Sequence, residues 1–389
     1  MMELSANERR VLDMVWRRGP IARSRLAVLT DLTPASVTRI VQALFDRRLI
    51  VETVDRSGAR GQPSRPITVR PEGAHAVGVY FSHRSVEIGL CNLAGAQLQA
   101  ATLAADQATP ENVARLIRDF IAGLEATEFD RASLCGVGIA LPGDFIRGAD
   151  QINPHAFFPD LRSPGSVRRL AEGIGLPVFV ENDAASAALG ERLLGAGQGI
   201  DDFLFVHLGH GIGGALVLGG SLYRGVYGNA GMIGIQFPND RPRPSGQDLF
   251  ANLAQAGIEI ADFPELEKLT VNDCPPLKAW IRRAGAQLRQ ELALTARVLD
   301  PAAIVIGGRL PLAMLNALVS EIDTPEFCNE GVGLPRPRVL ASQLGIRAGM
   351  IGAASLPFVR LLMGRGSPHD DRDLPGLALD YPTPASPET

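Results

Sequence analysis

The stretch Gly175–Arg192, GLPVFVENDAASAALGER, decides how the rest of the chain is read. A Gly-Leu-Pro turn leads into an apolar strand, Val178–Val180. That strand is read to stop at Glu181, Asn182 and Asp183, before an alanine-rich helix. A carboxylate and an amide at the carboxyl end of a buried strand stand where open α/β sheets bind ligands, held by rigid elements on both sides. Asp183 therefore anchors the reading. The structural alternative is that Asn182 and Asp183 only cap the following helix, and the two roles are compatible.

Toward the N-terminus, Ser5-Ala6-Asn7-Glu8 reads as a capping box, and Val11, Leu12, Val15 and Trp16 follow at helical spacing up to Gly19-Pro20. A second short helix is expected over Ser24–Leu29, with Leu26 and Leu29 facing inward. Thr33 then caps, and Pro34 opens, a third helix whose buried stripe is Val37, Ile40, Val41, Leu44 and Phe45. Strands at Leu49–Val51 and Pro66–Val69 flank residues 55–65, DRSGARGQPSR, rich in Gly and Arg. Three short helices, a tight turn before the third and a two-stranded wing make a winged helix-turn-helix. On the third helix, Ser36, Thr38, Arg39 and Gln42, beside Ala35, suit base edges in a major groove. In the wing, Arg60, Gln62 and Arg65 suit the minor groove or neighbouring phosphates. A helix-turn-helix that serves only as an interaction module is the alternative.

Charge supports the polyanion reading. Residues 1–70 carry 13 Arg, no Lys and 7 acidic residues, a balance of +6, although the whole chain stands at −4. A basic head on an acidic body fits a polyanion-binding module, and a solvated charged face would give the same sign. With 389 residues and 46% hydrophobic content the chain is long enough for two or three domains. Its four cysteines are isolated from one another, which argues against a disulfide framework or a CxxC knuckle. No apolar run approaches the roughly 20 residues that span a bilayer, and MMELSANERR lacks a signal-peptide core. A soluble, cytoplasmic protein with no membrane partner is expected.

Downstream of the head, apolar alternation at Ala76–Tyr80, Val86–Cys91 and Gln97–Thr102 reads as a β-meander. Helix Pro110–Leu124 and strand Leu134–Leu141 follow, the latter running into Pro142-Gly143-Asp144. A second lobe begins with strands Phe203–Leu208 and Gly213–Leu218. It continues through helix Ala279–Leu299, strand Ala303–Ile306 and a last helix around Gly349–Leu356. Two lobes that each open with a meander fit a duplicated α/β fold with ligand in the cleft between them. The boundaries are 1–70 for the DNA-binding head, 71–364 for the body, with lobes of about 76–190 and 191–364, and 365–389 for a Pro- and Asp-rich tail that reads as disordered.

Strand, Glu-Asn-Asp, small-residue helix and Leu189-Gly190-Glu191, followed by LGHGIGG from Leu208, resemble the sugar-binding segment of the ROK (repressor, open reading frame, kinase) family. The head, with Ala59-Arg-Gly-Gln-Pro63 in its wing, resembles the winged heads of ROK regulators, and the resemblance covers about residues 5–358. It implies a two-lobed, actin-like and sugar-kinase-like body. In that family the aspartate matching Asp183 is the general base that deprotonates a sugar hydroxyl in the kinases and a sugar ligand in the repressors. Gly143 in LPGD and Asn153 in INPH match positions bordering the sugar, with plain turn chemistry as the alternative. Asp248 in Gln-Asp-Leu-Phe-Ala matches, across a small gap, a glutamate that touches sugar. It reads equally well as the N-cap of the next helix.

The departures from the pattern are as informative. The kinases' first phosphate loop calls for Asp followed by small Gly and Thr residues, whereas this chain has Tyr80, then Ser82, His83 and Arg84. The second loop keeps its glycines but has His210 where Thr or Ser is usual. The family's Gly-Glu-Ile-Gly-His is here Gly231-Met-Ile-Gly-Ile235. The zinc motif should continue through residues 237–250, which contain no Cys, so no metal is expected. The resulting expectation is a DNA-binding transcriptional regulator, a repressor of carbohydrate-utilisation genes, without catalytic residues or cofactors. Its partners would be an operator duplex, a sugar or sugar derivative, and further copies of itself in a homodimer or higher homo-oligomer. A sugar kinase with a DNA-binding head and a ligand-blind DNA-binding dimer are the competing readings.

Overall fold

A computed structural model describes residues 4–53, 65–82, 84–124, 130–146, 151–328 and 333–363. Helix α1 (Ala6–Arg18) opens with the expected capping box: the Glu8 amide donates to the Ser5 hydroxyl at 3.4 Å, and the Glu8 carboxylate accepts from the Ser5 amide at 2.7 Å. Helix α2 (Arg23–Thr30) buries Leu26 and Thr30, while Leu29 is only half-buried. Thr30 is tolerated inside because its hydroxyl donates to the Leu26 carbonyl at 2.6 Å. Helix α3 (Pro34–Asp46) is capped by Thr33 and buries Val37, Ile40, Val41 and Leu44; Phe45 is half-buried. Strands β1 (Ile50–Glu52) and β2 (Ile67–Val69) then pair antiparallel. Arg60 and Gln62, like the tail from residue 365, lie outside the described residues.

The chain forms two compact units, one comprising residues up to Asp183 together with those from Ala353 onward, the other Ala184–Gly352. The first holds β3 (His75–Phe81), β4 (Ser85–Asn92), β5 (Gln97–Ala104), α4 (Pro110–Gly123), β6 (Leu134–Leu141), the short strands β7 (Gly143–Phe145) and β8 (Ile152–Pro154), α5 (Ser166–Glu172) and β9 (Val178–Asn182). Its main sheet has the order β5-β4-β3-β6-β9: an antiparallel meander followed by two strands parallel to β3. Val77, Val79, Val137 and Ile139 of this sheet pack with Val113 and Ile117 of α4.

After α6 (Asp183–Leu194), the second unit repeats the scheme. It contains β10 (Phe203–Leu208), β11 (Ile212–Leu218), β12 (Ser221–Tyr223), α7 (Gly246–Gln255), α8 (Pro275–Leu299), β13 (Ala303–Gly308), α9 (Leu312–Ile322), β14 (Arg338–Ala341) and the first residues of α10 (Ala348–Leu361). The sheet order β12-β11-β10-β13-β14 reproduces the first sheet strand for strand, with β10, β13 and β14 parallel. Parallel strands covered on both faces read as continuous apolar runs, as β13 does. The alanine-rich sequence of α6 also has its reason: a Cβ built on Gly190 would lie 2.9 Å from the Ala348 carbonyl oxygen, so only small residues let the two backbones approach.

Several boundaries differ from the sequence reading. β9 does not stop at the first polar residue but continues through Glu181 and Asn182, because the ladder with β6 runs to Ala140↔Glu181 and Leu141↔Asn182. α8 starts at Pro275, four residues earlier, and α10 runs on to Leu361. In the first unit, the far end of α10 receives the head: Trp16 of α1 meets Phe358 edge-on at 5.7 Å, both buried. Among the described residues, no helix is long and apolar enough to cross a membrane.

Candidate functional site

The carboxyl ends of β6 and β9 lie side by side, and the chain builds a polar cluster there. Directly after β6 it turns at Pro142 into the β7–β8 hairpin, with Gly143 opposite Pro154 and Asp144 opposite Asn153. Gly143 has φ +144°, and an added Cβ would lie 2.2 Å from the Asn153 carbonyl oxygen, so a larger residue is excluded. The Asn182 side-chain amide donates to the Gly143 carbonyl at 2.9 Å and fixes the hairpin against the end of β9. Asp183 follows as the first residue of α6. Gly143, Asn153, Asn182 and Asp183 are thus gathered in one unit.

Two further residues belong with them that the sequence reading passed over. Burial, and then the neighbouring Asp183 carboxylate, push the Asp144 carboxyl above its ordinary range. His155, half-buried and stacked on Phe157 at 4.8 Å, is pulled below the usual imidazole range by burial, and Asp183 opposes that shift. The signal was present in the chain, since Asp144 follows Gly143 and His155 stands two residues beyond Asn153. A titratable group kept half-buried beside a like charge costs stability, which marks positions where binding can recover it.

In the second unit the equivalent strand ends are closed. His207 of β10 and Arg309, just past β13, are buried; burial and then Arg309 push the His207 imidazole down to about 4. Glu191 of α6 has no exposed surface. Its carboxylate accepts from the Ala196, Leu344 and Gln343 amides at 2.7, 3.0 and 3.3 Å and from the Ser342 hydroxyl. Ser245, not Asp248, is the N-cap of α7, which corrects the capping alternative. The Asp248 carboxylate accepts from Trp280 Nε1 at 2.8 Å and from the Arg283 guanidinium, both on α8. Met232 and Ile235 are exposed, Ile235 by 81%. The segment matching the zinc motif does not fit a metal. Arg243 holds it, donating to the Gly234 carbonyl at 3.0 Å and to Asn239. Among the described residues no three His, Cys, Asp or Glu are grouped to hold an ion. At the first phosphate-loop position Tyr80 and Ser82 are both buried, and the Ser82 amide closes a turn onto the Ser85 carbonyl at 2.8 Å.

The head offers a separate surface. Ala35, Thr38, Arg39 and Gln42 are exposed on α3 and Ser36 is half-buried. Arg65, at the base of the predicted wing, lies 3.7 Å from the Glu52 carboxylate.

Residues 77–358 match the ROK family. The chain belongs to that family. It is 39% identical over 363 residues to the uncharacterized protein y4fQ of Sinorhizobium fredii, covering 92% of each. It is 26% identical to the DNA-binding transcriptional dual regulator NagC of Escherichia coli K12, covering 92% of this chain and 93% of NagC. Among solved structures it matches a ROK family transcriptional regulator, a homologue of E. coli Mlc, with TM-score 0.65 at 24% identity over 92% and 96% of the two chains. A ROK family glucokinase from Streptomyces griseus, in complex with glucose and AMPPNP, matches with TM-score 0.55 at 26% identity. That match covers 99% of the glucokinase but 73% of this chain. The fold is therefore the mixed α/β ROK fold, shared by regulators and kinases.

Proposed function

We propose that this chain is a DNA-binding transcriptional regulator, a repressor of carbohydrate-utilisation genes, whose body senses a sugar or sugar derivative and dimerises without catalysing a reaction. Residues 1–70 act as a winged helix-turn-helix, and 71–364 form the sensor. One observation carries this reading: the likeness to NagC spans 92% of the chain, whereas the likeness to the glucokinase spans 73%, about the share of residues 77–358. The part beyond the kinase-like body includes the basic head. α3 enters the major groove, with Ser36, Thr38, Arg39 and Gln42 facing it and Arg60, Gln62 and Arg65 on the flanking backbone or minor groove.

The ligand sits at Gly143, Asn153, Asn182 and Asp183 of the first unit. Phosphoryl transfer is not performed, because a phosphate loop needs small residues whose amides approach the nucleotide, and Tyr80 and Ser82 are buried in its place. A ligand that prefers one of two arrangements of the heads shifts the population that fits paired half-sites. The test is binding of the purified protein to its own promoter against random duplex across a salt series. A salt-sensitive preference for the promoter supports the reading, and equal affinity for both duplexes defeats it. Sugar-dependent release of ADP, lost in Asp183→Asn, would replace the sensor with a kinase.

A further inference from the structure

Resting on the DNA-binding reading above, we propose that Arg39 reads a guanine in each half-site, and that the other polar residues of α3 serve to position the helix rather than to select bases. The Ser36 hydroxyl oxygen accepts from the Thr33 hydroxyl at 2.9 Å, and its amide donates to Thr33 Oγ1, so Ser36 belongs to the helix cap. The Thr38 hydroxyl donates to the Pro34 carbonyl one turn back, at 2.9 Å. The Gln42 amide donates to Asp46 at 2.9 Å. Arg39 alone among these four makes no ion pair or side-chain hydrogen bond with a described residue, and it is exposed.

Charge points the same way. Along α3 only Arg39 and Asp46 are charged, and Asp46 at the far end repels phosphate, so the helix engages DNA through its first half. Elsewhere in the head Arg17, Arg23, Arg47 and Arg65 are paired with Asp13, Glu52, Glu8 and Glu52. Their guanidinium groups hold the fold or lie at its edge. Ala35 is one turn before Arg39 on the same face and is exposed, so no bulky side chain keeps this face of the helix from the groove. A guanidinium projecting from the first turns of a recognition helix meets a bidentate acceptor in the major groove only at guanine O6 and N7.

The experiment is selection from a random duplex pool by the full-length protein at fixed salt, followed by titration of the enriched site with wild type, Arg39→Ala and Arg39→Lys. The wild type is expected to enrich one invariant guanine per half-site, and changing that base should weaken it about 10- to 100-fold. Arg39→Ala should bind the original and the changed site equally. Arg39→Lys should keep the wild-type salt slope and only part of the preference, because an ammonium still reaches guanine O6 and N7 but lacks the planar fork. If Arg39→Ala instead weakens all sequences alike and lowers the salt slope by about one, Arg39 is a phosphate contact and the inference is overturned while the DNA-binding reading stands. A wild type that enriches no sequence overturns both. Unchanged melting temperatures confirm that the exposed substitutions leave the fold intact.

Discussion

The two sheets share one strand order yet finish differently, and the contrast separates a polar residue sealed into the fold from polar residues left partly open. In the second unit the Glu191 carboxylate is fully buried and accepts from four donors. In the first unit Asp144, Asn153, His155 and Asp183 remain partly exposed, and Asp144 bears a like charge beside it. Burial with full satisfaction is a structural solution. Partial burial with an unfavourable electrostatic neighbour leaves something for a bound molecule to correct.

The largest expected effect tests the sealed end. Glu191→Ala removes the acceptor of three backbone amides and a hydroxyl, and should lower stability by on the order of 4 kcal/mol in urea unfolding. A loss under 1 kcal/mol would mean that the clamp is not structural and would blur the contrast. The next effect is acid sensitivity of the same unit. His207 has its folded pKa at about 4, below the ordinary 6.5 of an unfolded imidazole, so the unfolded chain takes up the proton first as pH falls. The stability it contributes is complete above pH 6.5 and is lost progressively down to about pH 4, roughly 3 kcal/mol in all. Comparing unfolding curves of wild type and His207→Gln over that window checks it; identical pH dependence would break the assignment.

The smallest effect belongs to the open end and has the opposite sign. Asp144 is raised, so its neutral form is favoured in the folded state, and the stability this gives at low pH is lost as pH rises through the folded value. Asp144→Asn should therefore melt slightly higher than wild type at pH 7 without ligand. A lower melting temperature would show that Asp144 is structural, like Glu191.

These positions were unequally legible in the sequence. The capping box at Ser5, the stripe along α3 and both meanders follow from local rules, and they fixed most elements. The end of β9 did not, because Glu181 and Asn182 are held in the ladder by pairing with β6, a contact 41 residues away in sequence. The β7–β8 hairpin has strands of three residues, too short for any period, so Asp144 and His155 were not seen beside Asp183. Asp248 and Met232 show the converse. Their places in a motif were readable, whereas the pairing of Asp248 with Trp280 and Arg283, and the exposure of Met232, depend on how α8 and the loop pack.

The most direct test of the central claim is a thermal-shift screen of the full-length protein against mono- and disaccharides, amino sugars and their phosphates, with Asp183→Ala in parallel. The account predicts a saccharide that at 100 times its dissociation constant adds roughly 2.7 kcal/mol of stability to the wild type and nothing to Asp183→Ala. Stabilisation that survives in Asp183→Ala, or none with any saccharide, would contradict it.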